Sequence, residues 1–279
     1  MKNLKTELDQ RASRVICAPR IAPITGQEKV VTVIVAARDS ALWLKECVES
    51  IRDQHLPTSW KAQILIGIDA CLVTATTANA IKGGNVSVFY YPQWSGPYSI
   101  FNSLSIYARG TILCRFDADD IMLLGYMQRQ LEFLQDDDTT AILRTWSIFT
   151  DEYLRPVSAP LSNGTFTAPD GTRRRGSDGQ FMMRREVWER LGAFRPWLCF
   201  GDTEFLNRAR FCGYRLKELA EFLYLRRTHV SSLTASASTC YNSPLRAYYQ
   251  RINEQYYARF SDGWCPPTLV PSILKHYAL

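Results

Sequence analysis

The chain has 279 residues, of which 46% are hydrophobic and 22% are charged, and its formal net charge is +6 at pH 7. This length allows one large domain with a substantial core, and the balanced composition excludes a mainly disordered chain. The positive charge favours a phosphorylated small molecule, an anionic acceptor or an anionic membrane face as partner, but it is too small and too scattered to indicate nucleic-acid binding.

The chain begins with a segment that carries no strong periodicity, and we predict a loose leader over residues 1–28. Residues 30–37 are β-branched and small apolar residues, which predict a strand buried on both faces. Apolar residues at helical spacing then predict a helix over residues 41–53, with Ser40 as its N-cap. The fold therefore starts with a strand followed by a helix.

The same pattern repeats along the next part of the chain. We predict further buried strands over residues 62–68, 86–91 and 111–116, and a helix over residues 99–108. Alternating strands and helices are typical of a parallel sheet with helices packed on its faces. The predicted fold class is α/β, with a mostly parallel central sheet flanked by helices.

The second half contains shorter elements, and a turn-rich surface loop separates them. The basic run of Arg173, Arg174 and Arg175 is assigned to that loop, as a solvated segment. The remaining predicted elements are a helix from after Ile121 to about residue 134, strands over 141–149 and 180–183, and helices over 186–191 and 203–211, the last capped by Asp202.

The cysteines and the absence of long apolar runs indicate the cellular compartment in which we expect the protein. Several of the eight cysteines lie in apolar segments without CxxC spacing, so we expect reduced thiols. The first 20 residues lack the apolar core of a signal peptide, and no run approaches membrane-spanning length. We expect a cytoplasmic protein, and peripheral contact with the inner face of the membrane stays open.

Acidic side chains follow three of the predicted strands. Asp39, Asp69 and the segment 117–120 come directly after strands whose carboxyl ends meet at one edge of the sheet, where ligands of such sheets bind. Asp117 and Asp119 are alternate residues of an extended segment that leaves the strand. Both side chains can therefore reach one divalent cation together with a diphosphate. This pattern predicts Mn²⁺ or Mg²⁺ and a sugar or ribose at that edge; an acidic turn that only solvates the strand end is the structural alternative.

A calcium-binding loop is a rival interpretation of the acidic segment. Such a loop needs Gly at its sixth position and Glu at its twelfth. Here Met122 and Gln128 occupy those positions. The sequence therefore argues against an EF-hand.

Two further segments offer groups for catalysis. Asp202 opens a predicted helix, where its carboxylate can accept a proton from a hydroxyl group; a cap with an ion pair to Arg208 or Arg210 is the alternative. His229 follows Arg226 and Arg227 and can ligate the cation while an arginine holds phosphate; a structural histidine is the alternative.

Taken together and in order, the segments between residues 30 and 234 resemble family 2 glycosyltransferases, which are inverting enzymes with the GT-A nucleotide-diphospho-sugar transferase fold. The resemblance divides the chain into a leader (1–28), a transferase domain (29–235) and a C-terminal aromatic extension (236–279). Within the domain it implies a nucleotide-sugar-binding half (29–120) and an acceptor half (121–235).

The resemblance also implies residue roles. It places the catalytic base at Asp202, metal ligands at Asp117, Asp119 and His229, and acceptor contacts at Glu204 and Trp197. The donor-binding positions that it implies are Ala37, Asp39, Asp69, Asn102, Asp117 and Arg227. The chain departs from the family pattern at Ala36, Arg38 and Asp39, which replace Pro, Tyr and Asn, at Phe101, where a basic residue is common, and at Gly201, which replaces Glu.

The resemblance implies direct displacement with inversion, in which a sugar is transferred from a nucleotide-sugar, with a UDP-sugar as the first candidate, to a glycan or lipid-linked acceptor. The process that it implies is surface polysaccharide or glycoconjugate synthesis.

Two alternative functions stay open. The departures from the family pattern are compatible with a non-catalytic nucleotide-sugar or glycan binder. A haloacid-dehalogenase-like phosphatase also has Asp-x-Asp after an apolar strand, but after the first strand, whereas here it follows the fourth. The sequence does not set the oligomeric state.

Overall fold

The computed structural model describes residues 24, 29–157, 166–167, 173–176, 179–260 and 274–279. All of the predicted leader except residue 24, and most of the turn-rich loop, lie outside the described residues. In the first half, strands and helices alternate: β1 Lys29–Ala37, α1 Leu44–Arg52, β2 Trp60–Asp69, α2 Leu72–Ile81, β3 Val86–Tyr91, α3 Pro97–Ser105 and β4 Ile112–Asp117.

The second half begins with a two-residue strand and continues with a mixture of short and long elements. These are β5 Ile121–Met122, α4 Tyr126–Asp136, β6 Thr140–Thr150, β7 Phe166–Thr167, β8 Arg173–Gly176, β9 Phe181–Arg184, α5 Arg185–Leu191, α6 Gly201–Phe211, β10 Arg215–Arg227, α7 Pro244–Phe260 and β11 Tyr277–Ala278.

The strands form one sheet, in the order β11-β3-β2-β1-β4-β9-β6-β10-β5. The strands β1, β2, β3 and β4 are mutually parallel, and β6 is parallel to β10. The short strand β9 lies antiparallel between β4 and β6 and joins the two parallel groups. The predicted α/β fold with a mostly parallel sheet is confirmed.

The core lies on both faces of this sheet, because successive side chains of a strand point to opposite faces. On β1, Val33 and Val35 face a cluster that includes Leu44 of α1, whereas Ile34 faces a cluster that includes Leu104 of α3. All five of these apolar side chains are fully buried, and each such burial stabilises the fold by about 1.5–3 kcal/mol. The predicted burial of β1 on both faces is confirmed.

Several predicted boundaries are wrong. The first helix starts at Leu44 rather than residue 41, since the carbonyl of Ser40 accepts the N–H groups of Trp43 and Leu44 in a turn, and no side chain caps the helix. Asp202 is likewise not an N-cap: Phe200 holds that position, and Asp202 lies in the first turn.

Two segments were assigned to the wrong kind of structure. Residues 173–176 form β8, which pairs with β6, instead of a loop. Residues 122–125, predicted as the start of a helix, are not helical: Met122 pairs with β10 as a strand, and the helix begins only at Tyr126, after Gly125 in a left-handed conformation.

The part of the chain after residue 235 contributes one helix and one strand to the described structure. Strand β11 pairs antiparallel with the sheet edge at β3, with Tyr277 opposite Tyr90. Among the described residues, no helix combines the length and the apolar character needed to cross a bilayer.

Candidate active site

A cleft of about 290 Å³ lies at the carboxyl edge of the parallel strands. This is the edge at which open α/β sheets bind ligands. Most of the predicted site residues line it: Ala37, Asp39, Asp69, Asp117, Asp119, Asp202, Arg227 and His229. Asn102, Glu204 and Trp197 do not line it.

Asp119 and His229 form a direct pair in the cleft. His229 Nε2 lies 2.8 Å from Asp119 Oδ2, and its Nδ1 lies 2.9 Å from the hydroxyl oxygen of Ser231. The imidazole ring also packs on Trp43, with 3.8 Å between ring centroids. These contacts and the indole therefore fix the orientation of this histidine. The Ser231 hydroxyl on Nδ1 has the position of the outer partner that orients a histidine ligating through its other ring nitrogen.

The Asp119–His229 pair fits a divalent cation as two adjacent ligands. Neighbouring ligands of an octahedral ion with bonds of about 2.1 Å lie about 3 Å apart, close to the observed Oδ2–Nε2 separation. Within the residues that the structure describes, no three His, Cys, Asp or Glu side chains are grouped to hold a metal ion. Further ligands would therefore come from the substrate and from water.

Asp117 and Asp120, which flank Asp119 in the sequence, have partners other than His229. Asp117 Oδ1 lies 2.8 Å from Nη2 of the buried Arg115. Asp120 is 2% exposed and accepts hydrogen bonds from the Gln180 amide and the Arg227 backbone N–H. Burial and the carboxylates of Asp119 and Asp117 raise the pKa of Asp120 well above its usual range. Asp120 thus fastens the acidic segment to β10.

Asp202 faces the same cleft from the N-terminus of α6. Its Oδ1 accepts the backbone N–H of Thr203 at 2.7 Å. Among the described residues, no hydrogen bond is seen to Asp202 Oδ2. This arrangement leaves one carboxylate oxygen able to take a proton from a ligand.

Asp69 lines the cleft, but both of its carboxylate oxygens already accept backbone N–H groups, from Ser95 and Gly96, each at 2.8 Å. Burial raises the pKa of Asp69, and these two hydrogen bonds oppose that effect. Gly96 has φ 80, a conformation that glycine adopts readily. Asp69 therefore anchors the loop between β3 and α3, where sequence reasoning expected a ligand contact.

Arg38 and Trp94 pack against each other in the lining of the cleft, a contact that sequence reasoning missed. The Arg38 guanidinium lies 5.5 Å from the centroid of the Trp94 ring and donates to the Asp69 carbonyl at 2.8 Å. Trp94 is 51% exposed. Arg38 comes directly after β1, and this position indicated that it lies at the ligand-binding edge of the sheet. No feature of the sequence pattern distinguishes Trp94.

The two arginines that end β10 differ in their contacts. Arg227 is 5% exposed and donates to the carbonyls of Asp119 and Glu152 and to the Glu46 carboxylate. Arg226 also lines the cleft, and its Nη2 lies 3.3 Å from the Tyr241 hydroxyl. No direct ion pair of Arg226 is seen within the described chain, and its charge attracts the nearby Asp117 and Asp120 carboxylates. Arg226 is therefore available to an anionic ligand, and Arg227 is not.

The three predicted site residues that do not reach the cleft are buried in the protein interior or packed against another helix. Asn102 is buried and exchanges two hydrogen bonds with the backbone of Phe194. Glu204 is buried in an ion pair with Arg208. Trp197 stacks on Tyr249 of α7, with 4.6 Å between ring centroids.

Comparisons with known proteins give one family match and several similar solved structures. A family model described as "Glycosyl transferase family 2" matches residues 32–215. The structure of S. aureus TarS 1-349 in complex with UDP-GlcNAc is similar, with a TM-score of 0.56 and 16% identity over 74% of this chain and 61% of that chain. The chain thus spans less than two thirds of that TarS structure. No curated protein matches the chain.

A second solved structure is the mannosyltransferase PcManGT from Pyrobaculum calidifontis in complex with GDP-Man and Mn²⁺. Its TM-score is 0.56, with 19% identity over 94% of this chain and 73% of that chain. At such identities the likeness to both structures establishes a shared fold.

Proposed function

Since the chain belongs to glycosyl transferase family 2, as the match over residues 32–215 shows, we propose that it moves a sugar from a nucleotide-sugar donor to a hydroxyl group of an acceptor, with inversion at the anomeric carbon. One observation carries the proposal. The Asp119–His229 pair and the Asp202 carboxylate line the same cleft, at the carboxyl edge of the sheet.

On the donor side, Asp119 and His229 would hold Mn²⁺ or Mg²⁺ together with the diphosphate. A cation bound there neutralises charge on the leaving nucleoside diphosphate. Arg226, which makes no direct ion pair within the described chain, would contact the same diphosphate. Asp117 remains a predicted donor contact, with the ribose as the group that we propose, since Arg115 occupies only its Oδ1.

The nucleobase would lie against Arg38 and Trp94. Guanidinium planes and aromatic rings both stack on bases, and these two side chains are already packed together in the lining of the cleft. Ala37 and Asp39 line the adjoining part of the cleft. A UDP-sugar is the donor that we propose first, and a GDP-sugar is second; the TarS and PcManGT structures contain one of each kind.

On the acceptor side, Asp202 would act as the base. Its Oδ2 takes the proton of the acceptor hydroxyl, whose oxygen forms a bond to the anomeric carbon as the bond from that carbon to the diphosphate oxygen breaks. A single base of this kind contrasts with the two carboxylates that flank the bond in glycoside hydrolases. A glycan or lipid-linked hydroxyl is the acceptor that we propose, and membrane contact and a cytoplasmic location remain predictions.

Thermal-shift measurements with UDP-, GDP-, CMP- and dTDP-sugars, each with and without Mn²⁺, test donor binding. One donor should raise the melting temperature only with the cation present, because a ligand that binds the folded state stabilises it. Asp119→Asn and His229→Ala should remove this shift. Stabilisation by no nucleotide-sugar, together with release of phosphate from simple phosphoesters, would contradict the proposal.

Asp202→Asn should keep the donor-induced shift and lose about 10²- to 10⁴-fold in turnover, the usual contribution of a general base. Asp53→Asn, at an exposed position after α1, is the matched control and should change neither property. Donor binding without transfer in the wild type would instead favour a non-catalytic binder.

A further inference from the structure

The segment between β10 and α7 contributes a row of hydroxyl groups to the cleft, and we call residues 229–241 the hydroxyl wall. Backbone hydrogen bonds close successive turns along this segment. Thr239 is 2% exposed and donates its hydroxyl to the Leu233 carbonyl at 2.7 Å. The wall contains no Asp or Glu. Its hydroxyl-bearing residues that line the cleft include Ser231, Ser232, Thr234, Ser236, Ser238 and Thr239.

Arg246, in the first turn of α7, lines the same cleft and is bonded to the hydroxyl wall. Its Nε donates to the carbonyls of Thr239 and Cys240 at 3.0 and 3.1 Å, and its Nη2 donates to the Thr239 carbonyl at 2.8 Å. Within the described residues, its Nη1 makes no hydrogen bond and the side chain makes no ion pair. A half-buried guanidinium held in this way favours an anionic ligand, because a charge withdrawn from water is stabilised by an opposite charge.

The other arginine of the cleft without a direct ion pair in the described chain, Arg226, lies on the donor side. It precedes Arg227, whose backbone N–H donates to Asp120 of the acidic segment. Its Nη2 lies 3.3 Å from the hydroxyl of Tyr241, whereas the Arg246 guanidinium lies 5.2 Å from the centroid of the same ring. The two arginines therefore contact different parts of one tyrosine, and the cleft has a second cationic group besides the one assigned to the diphosphate.

Helix α7 connects Arg246 to the side of the cleft that carries Asp202. Tyr249 of this helix stacks on Trp197, with 4.6 Å between ring centroids and 9° between the ring planes. Trp197 belongs to the segment that leads into α6, and Asp202 is in the first turn of α6. The helix that carries Arg246 thus packs on the chain that leads to the proposed base.

We propose that Arg246 and the hydroxyl wall bind an oxyanion of the acceptor, a phosphate or carboxylate group near the hydroxyl that receives the sugar. The guanidinium supplies the opposite charge, and the serine and threonine hydroxyls can donate hydrogen bonds to the oxygens. The acceptor is therefore anionic. This inference rests on the proposed function, because it takes Asp202 to mark the acceptor side.

Calorimetric titration tests the site without turnover. The protein is first saturated with Mn²⁺ and the nucleoside diphosphate of the donor that stabilises it, so that the diphosphate position is occupied. It is then titrated with glycerol 3-phosphate, with glucuronate and with glycerol. We expect one of the two anions to bind more tightly than the other, which distinguishes a phosphate from a carboxylate, and glycerol not to bind. Binding of neither anion, or binding of glycerol as tight as that of the anions, would overturn the proposal.

Three variants decide whether Arg246 is the group that binds the anion. Arg246→Gln should raise the Kd of the anion about tenfold or more, and Arg246→Lys, which keeps the charge, should raise it less. Arg251→Gln removes the same charge from an exposed position of α7 outside the cleft and should leave the Kd unchanged. Equal losses in Arg246→Gln and Arg246→Lys would show that Arg246 only holds the carbonyls of the wall, and would overturn the proposal.

Inhibition of transfer identifies the side of the cleft. The anion that binds should compete with the acceptor and not with the donor, and competition with the donor would overturn the proposal. If no nucleotide binds to the wild type, the proposed function fails. The same titration of the unliganded protein, comparing Arg246→Gln with Arg251→Gln, then still decides whether Arg246 binds an anion.

Discussion

Arg226 and Arg227 are neighbours in sequence and both line the cleft, but their contacts differ, so we expect their replacement to have different effects. Arg227→Gln should lower the free energy of unfolding by about 2–4 kcal/mol, because the carbonyls of Asp119 and Glu152 lose their donor in a buried setting. Arg226→Gln should leave stability nearly unchanged and raise the donor Kd about 10- to 100-fold.

Urea unfolding and titration of the donor measure the two effects, and each variant is the control for the other. A loss of stability in Arg226→Gln without any change in donor Kd would show that the assignments are reversed.

Single residues show how far a sequence can predict a site. The acidic groups after β1, β2 and β4 were found because strand ends are recognisable, and the structure brings them into one cleft. Asp69, Asn102 and Arg227 were assigned to the donor, but each has its hydrogen-bonding groups occupied by partners remote in sequence. The Glu46 carboxylate on Arg227 is 181 positions away. No spacing rule shows such a partner, so availability to a ligand could not be predicted.

At the scale of the element, α6 carries the proposed base Asp202 in its first turn and a buried ion pair on the face that packs into the protein. Glu204, one turn before Arg208, is 1% exposed, and both oxygens accept from the Arg208 guanidinium, at 2.9 and 2.8 Å. Glu204→Gln should cost about 3–5 kcal/mol, because it leaves a buried guanidinium without its counter-charge. The acceptor KM should not change.

The matched control is Glu189→Gln, which breaks a largely exposed ion pair with Arg185 and should cost less than about 1 kcal/mol. Unfolding curves and acceptor kinetics of the two variants decide the role. A higher acceptor KM in Glu204→Gln, with unchanged stability, would restore the acceptor contact that the family resemblance implied.

Elements were predictable where their apolar residues recur with a clear period. The strands β1 to β4 and the helices α1 and α4 have such patterns, and the structure contains all of them. Helix α2 was missed because Leu72–Ile81 has three threonines and only a weak apolar face, with Ala75, Ala78 and Ile81 as its buried apolar residues. Its position between two parallel strands was the remaining signal, since such strands need a crossover.

For the whole molecule, one carboxylate links distant parts of the fold and gives stability that depends on pH. Asp137, after α4, accepts hydrogen bonds from Thr139, Thr140 and Lys217 of β10. Burial alone would raise the pKa of Asp137, but these hydrogen bonds lower it well below its usual range. The stabilisation is therefore complete above the unfolded-state pKa of about 3.9 and is lost as the pH falls below it.

Asp137→Asn should lower the free energy of unfolding by about 1–2 kcal/mol at pH 7, and the difference from the wild type should shrink below about pH 4. Urea unfolding at several pH values measures this. Asp138→Asn, an exposed neighbour, should have little effect at any pH. If the difference in unfolding free energy between Asp137→Asn and the wild type is the same above and below pH 4, protonation of Asp137 does not control this stability.

The overall architecture could be predicted because alternating strands and helices allow few topologies. The sequence did not show that β9 would lie antiparallel between β4 and β6, because that placement depends on pairings over long separations. The cleft depends on the same placement, since Gln180, next to β9, binds both the Asp117 backbone and the Asp120 carboxylate.

The anomeric configuration of the product tests the proposed function most directly, and proton NMR can observe it during transfer from the donor that the thermal-shift screen selects. We expect release of the nucleoside diphosphate and one new glycoside whose anomeric configuration is opposite to that of the donor, because the proposed base Asp202 would activate the acceptor for a single displacement. A glycoside that retains the donor configuration would contradict this expectation.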